Sequence, residues 1–119
     1  INPASLEIDL LLKFQPLDNA MIEVWYQPLS QVVQVWTNAP AQGWVQHGAD
    51  IPATFAPGDQ FGARALADGR VEVYRNGTLL ATRTVTNWPY LTSGGQIGLW
   101  LIFADNTLLD NFGGGSLGN

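Results

Sequence analysis

The chain contains no cysteine, which removes disulfides, thiolate nucleophiles and cysteine metal sites together. Charge is scarce as well: five Lys and Arg stand against ten Asp and Glu, 13% of the residues, for a net charge of −5. Nucleic acid demands a clustered basic surface to meet its phosphates, and these five basic residues are scattered, so nucleic acid is excluded as a partner. An anionic membrane is excluded on the same ground, and the apolar runs are too short to span a bilayer. Apolar residues nowhere recur at i, i+3, i+4, i+7 over three turns, so no helix is expected. His47 is the single histidine. No Ser-His-Asp signature or zinc-type cluster can be built around it, and it is expected on a surface or loop. Phosphate-cradling loops are missing too, because the glycines sit at turns and at the tail rather than before a helix. Ile1-Asn2-Pro3-Ala4 is not a charged leader region, so the sequence reads as a mature or trimmed chain.

What is present is generous in turn formers and large rings: 13 Gly, 7 Pro and 5 Trp in 119 residues. That is one domain's length, enough to bury a single core through β-branched and aromatic strands. Leu6, Ile8, Leu10, Leu12 and Phe14 alternate with Glu7, Asp9, Leu11 and Lys13, predicting a strand with one buried face. Met21–Gln27 and Gln31–Thr37 follow as strands across Pro28-Leu29-Ser30. Trp25 and Trp36 share a face in one register of that pair and oppose each other in the next, and the sequence fixes neither. Trp44 opens a strand ending near Pro52. Phe61, Ala63 and Ala65 line one face of the next strand; Ala67-Asp68-Gly69 turns the chain; Val71, Val73 and the Arg75 stem share a face. Asn76-Gly77 then predicts a two-residue type I′ hairpin, since both central residues must take positive φ. That demand accounts for the Asn76-Gly77-Thr78 glycosylation pattern without any glycan. Thr86–Gly95 is a long aromatic loop, Gln96–Phe103 a strand buried on both faces with Trp100 in the core, and Thr107–Phe112 a closing strand. Roughly nine strands at this spacing make a sandwich or barrel.

Three segments, GDQFGARALADGRVEVYRNGTLLATRTV (58–85), GGQIGLW (94–100) and LLDNFGGG (108–115), resemble the C-terminal part of concanavalin A-like, laminin G-like modules of bacterial secreted proteins. The resemblance covers most of the chain from Leu6 and implies an all-β antiparallel jelly-roll β-sandwich. It implies further strands ahead of Leu6, which this sequence lacks, and a second Asp where Asn111 stands. The expected organisation is a β-sandwich over 1–112, incomplete at its N-terminus, and a Gly-rich tail or linker over 113–119. A sheet short of edge strands leaves backbone groups unpaired, so self-association, or strand complementation by another chain, is expected.

Glucanases of this fold carry an E-x-D-x-(x)-E strand, and Glu7-Ile8-Asp9 begins that pattern. Leu11, Leu12 and Lys13 then stand where a third carboxylate is needed, so Glu7 and Asp9 are expected to be solvent-facing and no catalytic residue is assigned. Asp110 is the candidate ligand of a structural Ca²⁺, with Asp59 and Asp105 as alternatives, against the plainer role of bonding local backbone. Flat indoles stack on sugar rings. The carbohydrate-binding candidates are therefore Trp36, Trp44, Trp88 and Tyr90, with Gln46 and Arg64 as polar partners. The expected function is a non-catalytic extracellular module, secreted or at the cell surface, that binds carbohydrate or anchors a larger protein. A structural or assembly subunit joined through sheet edges is the alternative, and a glycoside hydrolase comes third.

Overall fold

The computed structural model describes residues 7–92 and the backbone of 96–102. It is all β, with antiparallel pairing throughout and no helix among the described residues. The strands are β1 (Glu7–Gln15), β2 (Ala20–Gln27), β3 (Val32–Ala39), β4 (Gly43–Gln46), β5 (Ile51–Pro52), β6 (Phe61–Ala65), β7 (Arg70–Arg75), β8 (Thr78–Thr84) and β9 (Gln96–Ile102). The larger sheet runs β4-β3-β2-β1-β9 with β5 also on β3, and the smaller runs β6-β7-β8. The expected strand over 107–112 and the tail lie outside the described residues.

The inner faces of the two sheets meet in one core, as in a sandwich. Ile8, Ile22, Val24, Tyr26, Val33 and Val35 come from the larger sheet, Val71 and Val73 from the smaller, and Phe55, Val85 and Trp88 from connecting segments. Each such apolar side chain contributes about 1.5–3 kcal/mol by leaving water. Phe61, Ala63 and Ala65 pack against this cluster from one face of β6, as their alternation predicts. Between the sheets, the ring of Tyr26 meets Phe55 edge-on at 4.7 Å and Phe61 at 6.1 Å.

Turn chemistry follows the sequence at both hairpins of the smaller sheet. Asn76 and Gly77 have φ of 52° and 77°, the signs a type I′ turn requires. Gly69 sits at φ 95°, and a Cβ there would lie 2.6 Å from the Val85 carbonyl oxygen. Only glycine fits that position.

Two strand expectations need correction. The alternation in β1 stops at Lys13, whose φ is 50°, because a bulge adds one residue between Leu12 and Gln15 against β2 and between Leu11 and Phe14 against β9. Leu11 pairs with Gly98 and Phe14 with Gln96, two residues along β9. Phe14 therefore shares the face of Leu11, not that of Leu12. The strand expected from Trp44 to Pro52 is two strands on one edge of β3. The chain leaves the ladder between Gln46 and Ile51, after a last bond from His47 N–H to the Val35 carbonyl (2.8 Å). Gly48, at φ 80°, makes that departure.

Candidate functional site

The outward face of the larger sheet collects side chains that the sequence scatters over forty positions. β2 and β3 pair with Glu23 opposite Trp36 and Trp25 opposite Gln34, which puts both indoles on one face. Their centroids are 6.3 Å apart with planes tilted by 47°. β3 and β4 pair Trp36 with Gln46 and Asn38 with Trp44, so Trp44 joins the same face from the edge strand and is 47% exposed. The outcome is a ramp of three indoles from the middle of the sheet to its rim.

An amide network holds the Trp36 indole of this ramp. Gln34 Oε1 accepts from Trp36 Nε1 at 3.0 Å and from Gln27 Nε2 at 3.1 Å. Its Nε2 donates to Asp50 Oδ1 at 2.8 Å, and Gln46 Nε2 donates to the same oxygen at 2.9 Å. These two bonds, Gln46 first and Gln34 next, hold the Asp50 carboxyl below the usual carboxylate range. Trp36 is thereby locked in orientation, which lowers the entropy lost when a ligand stacks on it.

The same face carries Asp9 and Glu23. Asp9 pairs with Trp25 and Leu11 with Glu23, so the two carboxylates are diagonal neighbours across β1 and β2. Asp9 was expected in solvent and is instead fully buried, with Glu23 at 4% exposure. β1 is covered on both faces here, which its alternation alone did not indicate. The Glu7 side chain lies outside the described residues. Trp100, expected in the core, is described by its backbone alone, as the register partner of Asp9.

His47 lies in the β4–β5 connection, the loop position expected of it, but not on the surface. It is 7% exposed, and its Nε2 lies 2.8 Å from Thr37 Oγ1 on the core side. Burial lowers its pKa from the ordinary histidine value. One departure from the ladder thus sends His47 inward and Asp50 outward.

Of the six residues singled out for sugar binding, the structure brings together Trp36, Trp44 and Gln46. Trp88 is not on the surface: it is 2% exposed, donates from Nε1 to the Asn38 carbonyl at 3.0 Å, and fills the core. Tyr90 stands against it edge-on at 5.2 Å and donates to Asp18 Oδ2 at 2.9 Å, bracing the 86–92 loop against the β1–β2 turn. Arg64 lies on the outward face of the smaller sheet, paired with Glu72 at 2.5 Å. Sequence reasoning missed Trp25, Gln34 and Asp50. A fixed β2–β3 register would have revealed the first two.

The calcium candidates Asp105 and Asp110 lie outside the described residues. Asp59 accepts from Ala56 N–H at 2.8 Å and from Asn76 Nδ2 at 3.0 Å, the plainer role considered for it. Among the described residues no three acidic or histidine side chains form a group able to hold a metal. Comparison with protein families, with characterised proteins and with solved structures gives no match.

Proposed function

We propose that the chain is a non-catalytic, secreted or cell-surface module of the concanavalin A-like jelly-roll type that binds carbohydrate on the outward face of its larger sheet. The observation carrying this reading is the shared face of Trp25, Trp36 and Trp44, with Trp36 held by Gln34. Indole planes offer apolar area to the C–H faces of sugars, and the glutamines and Asp50 beside them offer partners to hydroxyls. A carboxylate that attacks or protonates a glycosidic bond must reach it. The burial of Asp9 and Glu23 therefore favours binding over hydrolysis.

Trp44→Ala tests the reading, because that indole is exposed and its loss leaves the core intact. Affinity electrophoresis against a polysaccharide panel should show retention of the native chain and about tenfold weaker retention of the variant, about 1.4 kcal/mol. No retention by any polysaccharide would remove the reading.

Assembly through sheet edges is the second reading, supported by Leu79, 48% exposed on β8 at the edge of the described smaller sheet. Light scattering that finds only monomer counts against it. A structural Ca²⁺ held through Asp110 would raise the melting temperature by mass action, and a chelator-insensitive melt would dismiss it.

A further inference from the structure

This inference rests on the carbohydrate reading and concerns which sugar chains the indole face accepts. None of the five basic side chains is among those placed on that face, although Arg83 reaches the connection at its rim, where its Nε donates to the Ala49 carbonyl at 3.0 Å. Arg64, Arg70, Arg75 and Arg83 belong to the smaller sheet. Lys13 sits in the β1 bulge, and its Nζ donates to the Leu91 carbonyl at 2.5 Å. Carboxylates, in contrast, belong to the face: Asp9 and Glu23 are buried in it, and Asp50 is exposed at its rim. Asp50 stays ionised because two amides donate to it.

A uronate or sulfate ester stacking on Trp36 would find no cation among the side chains of the face itself, since Arg83 is engaged with the Ala49 carbonyl in the connection behind Asp50. It would sit within about one Debye length, ~8 Å at physiological ionic strength, of the Asp50 charge. An uncharged sugar meets no such repulsion, and its hydroxyls can both donate to Asp50 and accept from the remaining amide hydrogens. We infer that the face selects uncharged polysaccharides and rejects acidic ones, with Asp50 as the residue that sets the preference.

The test compares each of three neutral polysaccharides, a mixed-linkage β-glucan, a galactomannan and starch, with the same polymer oxidised at its primary alcohols to uronates. Backbone and linkage are then constant, and charge alone differs. The intact chain should retain a native polymer at least tenfold more tightly than its oxidised form in 50 mM NaCl. The gap should narrow in 500 mM NaCl, where the charges are screened. Asp50→Asn preserves the acceptor for Gln34 and Gln46 and should narrow the gap at low salt. Equal or tighter binding of the oxidised forms overturns the inference while leaving carbohydrate binding standing. An unchanged gap in Asp50→Asn overturns the role given to Asp50. Failure of every polymer, native and oxidised, defeats the carbohydrate reading and this inference with it.

Discussion

Tyr26→Phe deletes one oxygen from the middle of the molecule. Tyr26 is 1% exposed, and its hydroxyl accepts the Phe55 N–H at 3.1 Å. Phe55 belongs to the segment that leaves the larger sheet after β5 and enters the smaller at β6. Phenylalanine keeps the ring contacts to Phe55 and Phe61, so the variant isolates the hydrogen bond. It strands a buried backbone donor, which costs about 1–3 kcal/mol. Phe55→Ala does the reverse: its backbone N–H keeps its acceptor, but the core loses a ring, at about 3–5 kcal/mol. A chain of this length changes its melting temperature by roughly 4 °C per kcal/mol. Tyr26→Phe should therefore melt roughly 4–12 °C lower and Phe55→Ala roughly 12–20 °C lower. A domain holds about 5–15 kcal/mol in total, so Phe55→Ala removes a large share of that stability. Urea unfolding followed by tryptophan fluorescence and by circular dichroism gives both values, with m unchanged if the unfolded states are alike. A Tyr26→Phe variant as stable as the parent, or less stable than Phe55→Ala, would refute this account of how the crossing segment is held.

Two other perturbations follow from the same geometry. Burial disfavours protonated His47 in the folded chain, so its contribution to stability is complete above about pH 6.5, the unfolded value, and declines as pH falls below it. The urea midpoint should thus drop between pH 7.5 and 5.5 by more in the parent than in His47→Gln; equal drops would assign the titration to another group. Gly69→Ala forces a Cβ to 2.6 Å from the Val85 carbonyl oxygen at a φ of 95° and should cost about 1–3 kcal/mol or more, whereas Gly58→Ala, at φ 90° with nothing within 4 Å, carries the backbone strain alone. Thermal melts that rank Gly58→Ala as the more harmful would contradict the steric reading.

The readable parts of this protein are those governed by neighbours in the chain. Asn76-Gly77 had to turn, whatever surrounded it, and the alternation of Phe61-Gly62-Ala63 or Val71-Glu72-Val73 had to give each strand an oily side. The indole face was only half legible. Trp36, Trp44 and Gln46 could be suspected from their types, yet Trp25 joins them through a register set by the Pro28–Gln31 loop. There Gln31 takes φ 55° and its N–H closes on the Gln27 carbonyl at 2.8 Å. Nothing in that tetrapeptide obliges this closure, and one residue more or less would have sent Trp25 to the other side. Trp88 misled for a related reason. A loop tryptophan beside proline reads as exposed, but the carbonyl of Asn38, fifty residues away, gives its N–H a buried partner.

The sequence by itself determined that the chain folds as antiparallel strands, where its tight hairpins fall, and that thiol chemistry is not available to it. Those properties depend on side-chain type and on a two-residue period, both of which are local. Tertiary structure alone decided which residues look outward together, because bulges and registers at Lys13, Gln31 and Gly48 reset the alternation at points where no side-chain pattern announces it. It also decided the fates of Asp9, His47 and Trp88, all polar or amphipathic groups drawn inside. Burial of such a group is settled by what the other strands place against it, and that is a property of the assembled sheets.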